Sequence, residues 1–238
     1  MADSGSLKFH PEFLEAIAAA AAAAEGRAGI PQLPAGDVNG RRKWADDYFG
    51  SMLSKLPPMP SVTQTEHEIK ASDGTTIVVT QFRPSSASQK DAPAILYAHG
   101  GGMILGDIKT FAPMVAIRAE TTGIPIFAVE YRLAPEYPHP TPVNDCYDGL
   151  TWLHAHASEV GVDNSRIMIF GESAGGGLAA GVALMARDRK LSPPLAYQLL
   201  VYPMLDDRNL EPIQAIEPFA MWKCDDNKTG CKLSETER

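Results

Sequence analysis

A serine flanked by glycines is the residue of this 238-residue sequence that is best placed to do chemistry. The run Gly171-Glu172-Ser173-Ala174-Gly175 follows the apolar segment Arg166 to Phe170, a predicted buried strand, and opens a predicted helix. This strand–turn–helix setting is typical of a nucleophile elbow, in which glycines permit a tight turn and the hydroxyl projects from it. The first N–H groups of the helix can stabilise developing negative charge. Ser173 is therefore a candidate nucleophile for acyl transfer, and the alternative is a tight turn with a helix-capping serine.

A glycine loop earlier in the chain could complete such a site. His99-Gly100-Gly101-Gly102 follows the apolar run Ala94 to Ala98, which suits a strand buried on both faces. Three consecutive glycines cost conformational entropy on folding, so they indicate a close approach of the backbone to a ligand. A phosphate-binding loop is the alternative, but neither the Gly-Lys-Ser/Thr ending nor the Gly-x-Gly-x-x-Gly spacing is present. A loop of this type can donate the second N–H of an oxyanion hole.

Alternation of apolar strands with helices places both motifs in one α/β sheet. The predicted helices are 11–25, 41–56, 111–121, 142–160 and 174–187, and the predicted strands are 66–70, 75–83, 94–98, 125–131, 166–170 and 195–202. Such alternation implies βαβ units and a mostly parallel sheet. We divide the chain into an N-terminal helical packing arm or lid (1–65), an α/β core (66–205), the start of a lid insertion (206–222) and a polar tail (223–238).

Composition and charge exclude several classes of protein. The sequence holds 21 Lys and Arg against 29 Asp and Glu, a formal net charge of −8, which argues against nucleic-acid and anionic-membrane partners. No apolar run is long enough to cross a bilayer, and the alanine-rich N-terminal segment lacks the basic start of a signal peptide. The cysteines Cys146, Cys224 and Cys231 match neither a disulfide framework nor a zinc spacing. We expect a cytoplasmic protein without metal or cofactor.

Three motifs in this order resemble the hormone-sensitive lipase family of carboxylesterases, within the α/β-hydrolase superfamily. They are His99 to Gly102, Tyr131-Arg132-Leu133-Ala134-Pro135-Glu136, and Gly171 to Gly176. The resemblance runs from about residue 65 to residue 222. It implies an α/β-hydrolase fold and hydrolysis of small or medium acyl esters by a serine nucleophile. Met103 departs from the aromatic residue that the family often has there, which would alter the acyl pocket.

The resemblance also implies a role for each matching residue. Ser173 would attack the ester carbonyl, and the backbone N–H groups of Gly101, Gly102 and Ala174 would hold the oxyanion. The histidine of the glycine loop would orient that loop rather than act as a base. The residues that support the site would be His99, Gly100, Gly171, Glu172 and Gly175. Asp145 could be a charge on a helix or an anchor for the 131–136 loop, and we favour the former.

A serine hydroxyl needs a base to accept its proton, and in this superfamily the chain order is Ser, then Asp or Glu, then His. All six histidines precede Ser173: His10, His67, His99, His139, His154 and His156. The sequence therefore offers no triad histidine in the expected order. His139 is the best-placed substitute, since His154 and His156 are expected on the exposed side of their helix. We assign no triad acid among the later acidic residues, which are Asp188, Asp206, Asp207, Glu211, Glu217, Asp225, Asp226, Glu235 and Glu237.

The last sixteen residues differ in composition from the rest of the chain, since their only apolar members are Cys224, Cys231 and Leu233. The resemblance fades after Trp222. We therefore expect a family fold that stops early, without its C-terminal strands and helices, followed by a tail too polar to form a packed helix. The strand 195–202 would then be a sheet edge, uncharged and apolar on both faces, through which the chain could associate with itself.

Three hypotheses follow from these observations. The first is a serine carboxylesterase whose turnover is impaired because no histidine follows Ser173. The second is a binding protein for a small molecule, since the plant gibberellin receptors resemble the same family and have lost the catalytic histidine. The third is an inactive or regulatory fragment.

Overall fold

Six strands form one sheet in a computed structural model that describes residues 8–23 and 32–234. The strands are β1 (Val62–Lys70), β2 (Thr76–Pro84), β3 (Ala92–Ala98), β4 (Ile126–Glu130), β5 (Val162–Glu172) and β6 (Tyr197–Val201). Their order across the sheet is β1-β2-β4-β3-β5-β6. β1 with β2 and β2 with β4 are antiparallel, whereas the other three pairs are parallel. The predicted α/β class with a mostly parallel sheet is confirmed.

The helices lie between the strands and at both ends of the described chain. They are α1 (Pro11–Ala23), α2 (Val38–Leu53), α3 (Ile108–Thr122), α4 (Thr141–Ala155), α5 (Ala174–Asp188) and α6 (Cys224–Ser234), with a 3₁₀ turn at Glu217–Phe219. Side chains fix where two of them begin, because Asp37 caps α2 at the N–H of Gly40 and Asp107 caps α3 at the N–H of Thr110. None of the described helices is long and apolar enough to cross a membrane.

The core lies on both faces of the sheet, as the continuous apolar run of β3 predicts. Ala94, Leu96 and Ala98 pack with residues of α4 and α5 on one face. Ile95 and Tyr97 pack with residues of α3 on the other. This burial fixes the carboxyl ends of β3 and β5 beside each other, since Ala98 pairs with Gly171 in parallel register.

The prediction that residues 223–238 form no packed helix is wrong. Residues Cys224–Ser234 form α6, in which Cys224, Thr229 and Cys231 are buried. The helix packs because its polar groups find partners in the N-terminal arm, where the Arg41 guanidinium lies 2.8 Å from the Asp226 carboxylate. Thr229 accepts a hydrogen bond from a backbone N–H of the same arm, that of Gly36, at 2.9 Å. Paired polar groups can be buried without an apolar stripe, which composition does not reveal.

The strand β6 lies at one end of the described sheet, where the sequence places an edge. Tyr197 is 74% exposed and Leu199 is 48% exposed. One side of β6 pairs with β5, and no described strand pairs with its other side.

Candidate active site

Ser173 occupies a strained turn between β5 and α5. Its backbone has φ 55° and ψ −121°, a conformation that costs a non-glycine residue on the order of 1–3 kcal/mol. Two long-range hydrogen bonds hold it there: its N–H donates to the Val201 carbonyl at 3.0 Å, and its carbonyl accepts from the Met204 N–H at 2.8 Å. The serine is half-buried, and its hydroxyl makes no hydrogen bond to another residue that the structure describes.

The glycines around Ser173 are required by close backbone contacts. A Cβ on Gly171 would lie 2.1 Å from the Gly175 carbonyl oxygen, and one on Gly175 would lie 2.1 Å from the Ala98 carbonyl oxygen. A Cβ on Gly176 would lie 3.0 Å from the Pro203 Cα. The two distances of 2.1 Å are too short for any side chain, so the sharp turn at the end of β5 depends on glycine at positions 171 and 175.

The glycine loop after β3 lies directly beside the serine. A Cβ on Gly100 would lie 3.4 Å from the Ser173 Cβ. Gly101 and Gly102 both have positive φ, 130° and 60°. Within the described part of the chain, the N–H groups of Gly101 and Gly102 donate to no other group, while the Gly101 carbonyl accepts from two N–H groups further along the loop. The N–H of Ala174, the first residue of α5, also has no partner within its helix.

His99 is fully buried under this loop. Its Nδ1 lies 2.7 Å from the Gly100 carbonyl oxygen, so this nitrogen donates and carries the proton. The ring stacks on Tyr131 with centroids 4.3 Å apart, and the Tyr131 hydroxyl donates to the His99 carbonyl at 2.8 Å. Burial lowers the pKa of His99 to about 4, so the ring is neutral at pH 7. These contacts suit an orienting role for the ring, as the family resemblance implies.

Glu172 lies beneath the elbow in a network of hydrogen bonds. Its carboxylate accepts one bond from the Tyr97 hydroxyl at 2.6 Å and two from the Arg118 guanidinium at 2.8 Å each. Burial alone would raise the pKa of Glu172, but the hydrogen bonds from Arg118 and Tyr97 outweigh it and hold this pKa below its ordinary value. The residue before Ser173 is therefore a fixed anion that ties the end of β5 to α3.

Asp145 anchors the 131–136 loop, so the preference for a charge on a helix over a loop anchor is wrong. The side chain is fully buried and accepts bonds from the backbone N–H, Nε and Nη2 of Arg132, at 2.9, 2.9 and 2.6 Å. A carboxylate buried without such a partner would be strongly disfavoured, so the pair explains its position.

Arg42 is a supporting residue that the sequence did not reveal. From α2 it donates to the Ile104 carbonyl at 2.8 Å and to the Ala134 carbonyl at 2.9 Å, and it forms two bonds of 2.7 Å with Glu136. The N-terminal arm thus ties the glycine loop to the 131–136 loop. This role is visible only in the folded structure, because the partners of Arg42 lie 62 or more positions further along the sequence. The local sequence shows an ordinary amphipathic helix.

The histidines that could substitute for a missing base lie in different surroundings. His139 is exposed in the loop before α4. His154 and His156 are half-buried at the end of α4, so the prediction that they lie on its exposed side was wrong. His156 Nδ1 lies 2.9 Å from the Trp152 carbonyl, and His154 Nε2 is buried without a hydrogen-bond partner among the described residues.

Several acidic residues after Ser173 already have structural partners. They are Asp188 with Arg187, Asp206 with Arg208, Asp226 with Arg41, and Glu217 with the Cys224 N–H. Glu235 and Glu237 lie outside the described residues. We therefore assign no triad acid from this structure.

Comparison with known proteins places this geometry in a family. A sequence profile described as the alpha/beta hydrolase fold matches residues 95–233, which includes most of α6. Esterase LipI of Mycobacterium tuberculosis is 34% identical over 182 residues, which cover 71% of this chain and 57% of LipI. Carboxylesterase NlhH of the same organism is 38% identical over 151 residues, 63% of this chain and 47% of NlhH. The chain thus matches about half the length of these curated relatives.

A solved structure of a bacterial heroin esterase is similar to the whole described fold. It superposes with a TM-score of 0.81 at 35% identity, covering 94% of this chain and 68% of the esterase. The profile, the relatives and the fold agree with the motifs. The chain therefore belongs to the hormone-sensitive lipase family of carboxylesterases, within the α/β-hydrolase superfamily.

Proposed function

We propose that this chain carries the acyl-transfer site of a serine carboxylesterase, with Ser173 as nucleophile and small or medium acyl esters as substrates. The observation that carries the proposal is the contact between the two motifs. The strained serine lies beside Gly100, and the next two residues of that loop present N–H groups without partners in the described chain. A free hydroxyl next to free N–H donors suits attack on a carbonyl whose oxygen becomes negative.

The proposed reaction has two steps. Ser173 Oγ forms a bond to the ester carbonyl carbon, the N–H groups of Gly101, Gly102 and Ala174 hold the oxyanion, and the bond to the leaving alcohol breaks. Water then attacks the acyl-enzyme, which releases the acid and restores the serine. The proton of Ser173 must pass to a base during the first step and reach the leaving alcohol.

Turnover by the 238-residue chain is expected to be weak. No histidine follows Ser173 in its sequence. In the described structure, the Nδ1 atoms of His99 and His156 each lie against a main-chain carbonyl and not against the serine hydroxyl. Solvent would then take the proton. Serine proteases that lack triad members keep a rate roughly 10³–10⁴-fold above that in water, from the oxyanion hole and binding alone. We expect a rate of that order, dependent on Ser173.

Hydrolysis of p-nitrophenyl butyrate tests the proposal, with Ser173→Ala as the variant and Ser165→Ala as a matched control. Ser165 is an exposed serine on β5 whose hydroxyl donates to Asp163, away from the elbow, so Ser165→Ala leaves the elbow intact. The proposal expects the rate, and labelling by a fluorophosphonate, to be lost in Ser173→Ala alone. Equal rates in all three proteins would contradict it. Saturable ligand binding without turnover would instead favour a binding protein. The absence of both turnover and binding would favour an inactive fragment.

We also propose that two copies of the chain associate through β6. Its five residues carry no charge, and its outward Tyr197 and Leu199 leave large apolar surface exposed. Unpaired strand edges of this kind can pair with a second strand, and an introduced lysine prevents such pairing. Light scattering should show a dimer or larger species that Leu199→Lys dissociates. Leu184→Lys, at a leucine of α5 that is equally exposed, should leave the association unchanged. A wild-type monomer at high concentration would contradict the proposal.

A further inference from the structure

The indole of Trp222 packs directly on the glycine loop. A Cβ on Gly102 would lie 2.3 Å from Trp222 Cη2 and 2.4 Å from Cζ2, so the ring lies against the α-carbon of this glycine. The contact joins residues 120 positions apart.

The ring is itself held in place by α6. Trp222 Nε1 donates to the Asn227 side-chain oxygen at 2.8 Å, and the Asn227 amide nitrogen donates to the Asn209 carbonyl at 3.1 Å. A Cβ on Gly230 would lie 3.0 Å from the Gly102 carbonyl oxygen and 3.5 Å from the indole. One turn of α6 therefore fixes both the indole and the far side of Gly102.

Hydrogen bonds hold the loop on either side of Gly102 but not at Gly102 itself. The Gly101 carbonyl accepts from the N–H groups of Ile104 and Leu105 at 3.1 Å each, and Arg42 binds the Ile104 carbonyl. In the described chain, neither the N–H nor the carbonyl of Gly102 takes part in a backbone hydrogen bond. Glycine has the largest conformational freedom of any residue, so packing must restrict it here.

We propose that Trp222 is a positioning residue that fixes the left-handed backbone of Gly102 and thereby aims its N–H at the oxyanion. The inference rests on the proposed function of the glycine loop. The indole acts through Gly102 and touches no reacting atom. Loss of one oxyanion donor lowers kcat by about 10²–10³-fold in other hydrolases, so a donor that is present but mobile should lower it by roughly 10–100-fold.

The kinetic test compares Trp222→Phe, Trp222→Ala and Trp152→Ala in the full chain with p-nitrophenyl acetate. Trp152 is a half-buried tryptophan of α4 that makes a tilted ring contact with His67 and stacks on His156, so its loss controls for general destabilisation. We expect Trp222→Ala to lower kcat about 10–100-fold with KM within about twofold, since ground-state binding does not use the oxyanion donor. Trp222→Phe lacks Cζ2 and Cη2, the two indole atoms nearest to Gly102, so it should lose part of kcat but less than Trp222→Ala does. An unchanged kcat in Trp222→Ala, or an equal loss in Trp152→Ala, would overturn the inference.

A second measurement does not depend on turnover. In a glycine-labelled sample, the ring current of the indole should displace the Gly102 α-proton resonances from the positions they take in Trp222→Ala. Trp222→Ala should remove this ring-current effect and broaden the Gly102 amide signal. If Ser173→Ala hydrolyses esters as fast as the wild type, the proposed function fails, and the NMR result still decides whether Trp222 fixes Gly102. Gly102 chemical shifts and line widths that do not change in Trp222→Ala would refute the positioning role.

Discussion

Replacing Gly102 by alanine should destabilise the fold through two separable effects. The residue has φ 60°, so an alanine there adopts a left-handed backbone that disfavours a side chain. The added Cβ would also lie 2.3 Å from the Trp222 ring, well inside van der Waals contact. Gly123 provides a matched control, because its φ is 68° but the nearest atom to an added Cβ is Ser86 Oγ at 3.7 Å, an ordinary contact.

The magnitudes follow from these two contributions. A left-handed backbone costs a residue with a Cβ roughly 1–2 kcal/mol. Forcing a methyl group into packed surroundings costs typically about 1–3 kcal/mol. Gly123→Ala should therefore lower the free energy of unfolding by about 1–2 kcal/mol, through the backbone alone. Gly102→Ala should lower it by about 2–5 kcal/mol, since both effects apply.

Urea unfolding of the single variants and of the double variant Gly102→Ala/Trp222→Ala measures these differences. In the background that lacks the indole, Gly102→Ala should cost no more than Gly123→Ala does, because only the backbone effect remains. Equal losses for Gly102→Ala and Gly123→Ala in the presence of Trp222 would refute the reasoning. They would mean that the indole does not lie against Gly102.

Three further predictions concern carboxylates that are buried or half-buried. Glu172→Gln should lower the free energy of unfolding by about 2–4 kcal/mol in urea titration, because it leaves the Arg118 guanidinium partly buried without its anion; a loss below 1 kcal/mol would mean that the pair is only a surface contact. Burial, aided by a nearby aspartate, raises the pKa of Glu130 from 4.5 to about 7, so the folded state holds this proton more tightly than the unfolded chain does. The contribution of Glu130 to wild-type stability should therefore fall as pH rises from about 4.5 through 7, so the gain from Glu130→Gln should grow over that window to about 2–3 kcal/mol; a gain that does not change with pH would contradict this pKa. Asp145→Asn should lower the free energy of unfolding by about 3–5 kcal/mol and so lower the melting temperature, because Arg132 loses a buried anion that accepts three of its hydrogen bonds. An unchanged melting temperature would show that the anchor is dispensable.

The elements of the core could be read from the sequence because their signals are local. Continuous apolar runs marked β3, β4 and β5 within a few residues of their observed bounds. The placement of Gly171 to Gly175 between a strand and a helix located the turn at Ser173, whose φ of 55° reflects the strain expected there. The close approach of Gly175 to the carbonyl of Ala98 gives the physical reason for glycine at that position.

The predictions for the polar segments are wrong because the residues that pair with them lie far away in the sequence. The composition of residues 223–238 shows no apolar stripe, yet α6 forms because Arg41 and Gly36 satisfy its polar groups. The sequence favours a charge on a helix over a loop anchor for Asp145, because its partner, Arg132, lies on a loop that local periodicity does not place. A buried ion pair and an exposed charge have the same sequence signature.

The sequence by itself determined the α/β class, the order of strands and helices, and the two motifs that meet at Ser173. Each of these depends on residues within one strand, turn or helix, where periodicity and glycine spacing act directly. The tertiary structure alone decided what supports the glycine loop: Arg42 from the N-terminal arm on one side, and Trp222, held by α6, on the other. Such support arises from packing and hydrogen bonds between segments remote in the chain, and only the folded structure brings those segments together.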